Sequence, residues 1–101
     1  MKTDVFRFTF ARSIDLAETE ATLHLAILAA EGLFGESRVR METTYHADPP
    51  RRAILVDGGS RAGDAVVRIY TAFLTREFGP DAYAVRRVTI SADRAAVEAA
   101  A

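Results

Sequence analysis

One glycine-rich turn, two histidines and a set of arginines hold most of the chemistry this sequence could offer. Asp57-Gly58-Gly59-Ser60-Arg61 stands where an apolar strand would feed a helix. Backbone N–H groups at a helix N-terminus attract anions, and glycine lets a ligand approach the backbone closely. The stretch matches neither the GxxxxGK[ST] phosphate loop nor the GxGxxG dinucleotide fingerprint, and Asp57 would repel a phosphate. Turn and capping chemistry accounts for the same residues without a ligand.

His24 and His46 are the only histidines. His24 follows Glu20 and precedes Leu28 at helical i±4 spacing, which marks the border of a helix's core face. His46 lies beside Pro49-Pro50. The two, from different elements, could join Asp48 or Glu42 around a metal, but no HxxxH or HExxH spacing supports it. Ser13 and Ser60 both read as helix-start residues, so their hydroxyls already have a structural use. The chain has no cysteine, which excludes disulfides, thiolate zinc, iron–sulfur clusters and a thiol nucleophile. No catalytic residue, metal or cofactor is expected.

The elements that must position these groups follow from hydrophobic period. Val5–Phe10 alternates, with three phenylalanines on one face and Val5, Arg7 and Thr9 on the other, as a half-buried strand does. Asp15 and Glu18 form a capping box, so a helix should run from Leu16 to Phe34 and stop at Gly35. Arg38–Tyr45 alternates again and predicts a second strand. Pro49-Pro50 breaks it. Ala53–Val56 is apolar on both faces, as a central strand is. Ser60 caps a second helix that runs to Glu77 or Phe78 and stops at Gly79-Pro80, and Tyr83–Ile90 is the last strand.

This order, β-α-β-β-α-β, resembles the ferredoxin-like or split β-α-β arrangement: an α+β sandwich with a four-stranded antiparallel sheet and two helices on one face. Strands one and three would be central. The resemblance is one of element order over residues 4–90. RNA-recognition domains share that order, but they stack bases on aromatics of strands one and three. Strand three here, Arg52 to Asp57, has none, so nucleic acid is not the expected partner.

Two surfaces follow. On the open sheet face the alternation places Arg7, Arg38, Arg40 and one of Arg86 and Arg87, which reads either as an anion platform or as arginine stems covering a bare sheet. The candidate ligand-binding residues are Arg7, Arg40, Arg86, Gly58, Gly59 and Ser60. On the helices, Leu16, Leu23, Ile27, Ala30 and Phe34 make a core stripe, while Ala17, Ala21, Leu25 and Leu28 make a second one. In the other helix Ala62, Val66, Ile69 and Phe73 should face the sheet, with Val67, Leu74 and Phe78 as the surplus stripe. A surface helix normally carries one such stripe. The candidate interface residues are therefore Ala21, Leu25, Leu28, Val67 and Leu74, with packing of the two helices on each other as the competing explanation.

Length and charge bound the rest. The 101 residues make one domain, with an ordered core at about 4–90 and an Ala-rich tail, 91–101, that is a short helix or disordered. Net charge is −1, which favours neither nucleic acid nor an acidic membrane. Twelve arginines against one lysine point to a GC-rich bacterial genome. Residues 1–20 carry Lys2, Asp4, Arg7, Arg12, Asp15, Glu18 and Glu20, unlike a signal peptide, and Leu23–Ala30 is too short to span a bilayer. The expectation is a cytoplasmic interaction or assembly module acting as a homodimer, with no membrane partner. A small-ligand or anion-binding domain is the alternative, ahead of a small enzyme.

Overall fold

Local chemistry sets where each element begins. A computed structural model describes residues 4–89 of the chain; the expectations for the tail at 91–101 and for Ile90 fall outside them. The order is β1 (Asp4–Phe10), α1 (Leu16–Phe34), α2 (Glu36–Glu42), β2 (Tyr45–Asp48), a 3₁₀ turn at Pro49–Arg51, β3 (Ala53–Asp57), α3 (Arg61–Phe78) and β4 (Tyr83–Thr89). The Asp15 carboxylate accepts from Ala17 N–H at 2.9 Å and so caps α1. The Ser60 hydroxyl oxygen accepts from Gly63 N–H at 2.9 Å and caps α3. Gly35 and Gly79 end α1 and α3 at φ of 89° and 92°, where a side chain would be strained.

The fold is α+β: one open, four-stranded antiparallel sheet and three helices. The strand order is β2-β3-β1-β4, so β1 and β3 are central, as their burial patterns require. The expected second strand at Arg38–Tyr45 is corrected: its first half is the helix α2, and β2 keeps only four residues. Ion pairs explain the switch. Glu36 pairs with Arg40 at 2.9 Å and Arg38 with Glu42 at 3.2 Å, both at i,i+4 spacing, which only a helix brings together. Val39 is fully buried and Met41 is not.

Phe8, Phe10, Ile54 and Val56 meet the helices from the sheet. Tyr70 lies against Phe8, ring centroids 4.8 Å apart, and its hydroxyl donates to the Thr19 carbonyl at 2.8 Å. That bond ties α3 to α1. Tyr83 of β4 donates to the Thr71 carbonyl of α3, whereas Tyr45 of β2 reaches Glu20 of α1. So α3 covers the β1–β4 side and α1 the β2–β3 side. The stripes expected on α3 exchange roles: Val67 and Tyr70 meet the sheet, and Phe73 faces α1. Val67 and Leu74 are buried in the core and are not available as an interface.

Candidate functional site

The strand register decides which arginines share the open face. His46 stands opposite Leu55, Leu55 opposite Arg7, and Arg7 opposite Arg86, giving one row across all four strands. Val5, Thr9 and Ala53 flank it. Arg86, not Arg87, joins Arg7, because Arg87 pairs with Phe6 on the helix side. Like charges directly opposite one another destabilise a ladder. Among the described residues the ion pairs engage Arg38, Arg40, Arg51 and Arg68, and neither Arg7 nor Arg86 has a carboxylate partner.

Arg40 does not join that row. It sits on α2, in the helical layer, held by Glu36 at 2.9 Å and Glu31 at 3.9 Å. The turn residues are also elsewhere and already engaged. Gly59 N–H donates to Asp57 Oδ1 at 2.9 Å, Gly58 N–H to the Asp4 carbonyl at 2.9 Å, and Ser60 Oγ–H to the Glu42 carbonyl at 3.0 Å. A Cβ on Gly58 would lie 2.6 Å from the Phe6 ring. Gly58 therefore admits close packing, not a ligand. Asp4 Oδ1, Glu42 Oε1 and Thr43 Oγ1 add buried oxygens with no partner among the described residues at this end of the sheet, an environment hostile to anions.

A polar cluster that the sequence did not announce joins α1 to β2. Tyr45 donates its hydroxyl proton to Glu20 Oε2 at 2.9 Å, and His24 Nε2 lies 2.8 Å from the Tyr45 hydroxyl oxygen. With its one proton spent on Glu20, the phenol accepts from His24, which fixes Nε2–H as the donor. Burial raises the Tyr45 pKa, and the Glu20 carboxylate raises it further. Tyr45 is thus a neutral clamp, unsuited to act as a base. The i,i+4 spacing of Glu20 and His24 was visible in the sequence; their meeting with a tyrosine from another element was not.

The outer arc of α1 is the remaining surface. Ala17, Ala21, Leu25, Leu28, Ala29, Gly32 and Leu33 are exposed, and from Ala21 to Leu33 that arc holds no Asp, Glu, Lys or Arg. Leu25 is 58 % exposed, Leu28 59 % and Leu33 72 %. Beside Leu25, a shallow groove of about 400 Å³ runs between α1 and α3, lined by Thr22, Leu25, Phe73, Arg76 and Glu77. Thr22 Oγ–H donates to Glu77 Oε1 at 2.7 Å across its floor. So three of the five expected interface residues, Ala21, Leu25 and Leu28, are brought together.

No family model, curated protein or solved structure matches the chain. Its site is therefore argued from its own residues. Among the described residues no group of three or more His, Asp or Glu is placed to hold a metal, and no helix is long and apolar enough to cross a membrane.

Proposed function

We propose that this chain is a small assembly module that works as a homodimer, with the outer arc of α1 as its contact surface. The observation that carries the reading is the exposed arc Ala21, Leu25, Leu28, Ala29, Gly32 and Leu33, which holds no charged residue and has three leucines more than half exposed. A surface helix normally carries one apolar stripe, and a contiguous apolar patch marks an interaction site. Burying Leu25 and Leu28 fully would contribute about 1.5–3 kcal/mol each. Light scattering over a wide concentration range tests it. A mass of twice the 11.0 kDa chain is expected, falling to the monomer in the Leu25→Glu, Leu28→Glu double variant. A monomer at every concentration, or an unchanged mass in a well-folded double variant, would overturn it.

The finer fold reading is ferredoxin-like, with α2 inserted ahead of the second strand. It is supported by the central position of β1 and β3 and by α1 and α3 lying on one face. A bacterial, cytoplasmic setting is supported by the arginine bias and the lack of cysteine.

A second reading, anion binding on the open sheet face, is favoured by the facing Arg7 and Arg86 side chains. Titration with phosphate or citrate, followed through the arginine Nε–H resonances, would shift both together in a specific site. Uniform drift of all arginines would be ionic strength alone.

A further inference from the structure

We infer that Arg7 and Arg86 form a two-guanidinium clamp for a single phosphoryl group, the dianion of a small phosphate monoester. This rests on the anion-binding reading of the open sheet face and names the ligand class that the face would take.

The first argument is charge. The register sets Arg7 of β1 directly opposite Arg86 of β4, which brings their Cβ atoms to about 4.5–5.5 Å. Among the described residues neither has a carboxylate partner. The carboxylates on the same face stand on the other two strands and are engaged: Asp57 accepts from Gly59 N–H, and Asp48 pairs with Arg51. A carboxylate ligand would offset one of the two positive charges. A phosphate monoester carries about −1.5 to −2 at pH 7 and offsets both.

Shape selects the same group. A guanidinium presents a planar fork of N–H donors, and one fork already fills the two oxygens of a carboxylate. The three terminal oxygens of a phosphoryl group can accept from two forks at once. Around the pair, Val5 and Val88 lie on one side, Thr9 and Ala84 on the other, and Leu55 stands beside Arg7 on β3. None of these brings a competing acid. Arg7 is partly buried among them, so water screens its charge less than that of a free side chain.

The extent of the charge limits the ligand to one phosphoryl group. Arg7 and Arg86 occupy the β1–β4 half of the face, while Asp48 and Asp57 occupy the β2–β3 half. A chain of phosphates crossing the sheet would meet those carboxylates. The chain's own acids beyond Thr89, Asp93 and Glu98, are the other partners to weigh. Arg94 directly follows Asp93, so bringing that carboxylate to the pair brings a third cation with it, and Glu98 offers a single charge.

The test titrates the whole chain with methyl phosphate, sulfate and acetate, followed through the arginine Nε–H resonances, at pH values either side of the monoester's second pKa of about 6. Arg7 and Arg86 should shift together and saturate, with acetate roughly tenfold weaker than methyl phosphate at the higher pH. Methyl phosphate should lose roughly tenfold in affinity at the lower pH, where it keeps one charge. Sulfate is dianionic at both and reports any change in the protein itself, including the charging of His46 in the same row. Arg86→Gln on the edge strand, and separately Arg7→Gln, should abolish saturation with the far-UV circular dichroism unchanged.

Equal affinity for acetate and methyl phosphate would overturn the phosphoryl assignment and leave a general anion site. Tighter binding of a single-stranded oligonucleotide than of methyl phosphate would overturn the single-group extent. An Asp93→Asn, Glu98→Gln protein that binds methyl phosphate roughly tenfold more tightly would show the chain's own carboxylates on the pair and overturn the external ligand. Uniform drift of all arginines would overturn the clamp and the anion-binding reading together.

Discussion

α3 turns Arg61, Arg68, Thr75 and Arg76 to solvent and buries Ala62, Val66, Val67, Tyr70 and Leu74, whereas α1 turns Ala21, Leu25, Leu28 and Leu33 outward. Both helices pack on the same sheet face and on each other. Each carries two apolar stripes, but for α3 the sheet takes one and α1 the other. For α1 the sheet and α3 take a stripe shifted toward Thr19, Thr22 and Ala26, and the remaining stripe is left exposed by the described residues. A surplus stripe is therefore not by itself a sign of association. What distinguishes the two is whether a neighbour within the fold stands on that side.

The sharpest way to break this comparison is to truncate one leucine from each helix. Leu74→Ala should cost about 2–5 kcal/mol in urea unfolding, the transfer loss plus a cavity. Leu25→Ala, measured at a dilution where the chain is monomeric, should stay within about 0.5 kcal/mol. Equal losses would mean that α1's outer arc is covered by the chain after all.

Arg52 sharpens the question of what holds α1 in place. Its backbone is left-handed at φ 51°, and its guanidinium donates to the carbonyls of Phe10, Ala11 and Ile14, in the loop that enters α1. Arg52→Ala should cost about 1.5–3 kcal/mol, the range for hydrogen bonds to a charged group. Arg68→Ala on the outside of α3 removes one exposed pair with Asp64 and should cost well under that.

Two glycines offer a paired test of smaller size. A Cβ on Gly63 would collide with the Asp57 carbonyl, so Gly63→Ala should lose about 1–3 kcal/mol. Gly32→Ala on α1 should gain about 0.5–1 kcal/mol in the monomer, and any loss there would place an unseen neighbour on the arc.

The smallest effect is alkaline. Burial raises the pKa of Tyr45, which joins α1 to β2, and of Tyr70, which joins α3 to α1. The folded state holds both protons more tightly than the unfolded chain does. Stability is therefore fully present below the ordinary tyrosine value of about 10 and falls as pH rises past it. Tyr70→Phe should flatten that decline more than Tyr45→Phe, read as unfolding midpoints between pH 8 and 11.

Much of the architecture was legible because it rests on local signals. The alternation at Val5–Phe10, the caps at Asp15 and Ser60 and the stops at Gly35 and Gly79 all mean in the structure what they mean in the sequence. Residues 36–42 were misread because Val39, Met41, Thr43 and Tyr45 imitate a strand's period of two, while the opposing signal, Glu36–Arg40 and Arg38–Glu42, is a pattern of charge. The arc at Ala21, Leu25 and Leu28 was readable as a surplus stripe. Which stripe of α3 faced the sheet was not, since both are apolar and only the helix's rotation separates them. The Arg7–Arg86 pairing depended on register, and the Glu20–Tyr45–His24 cluster on a contact between elements distant in sequence.

The shortness of β2 has a consequence for how this molecule can go wrong. An exposed sheet edge is a template on which another chain can add a strand, the first step toward fibrils. Here one border is only four residues long and runs directly into Pro49 and Pro50, which have no amide hydrogen to offer. The other border, β4, is seven residues long but carries the adjacent exposed Arg86 and Arg87. Neither rim invites an incoming strand, so concentrated or partly unfolded protein is steered away from cross-β growth.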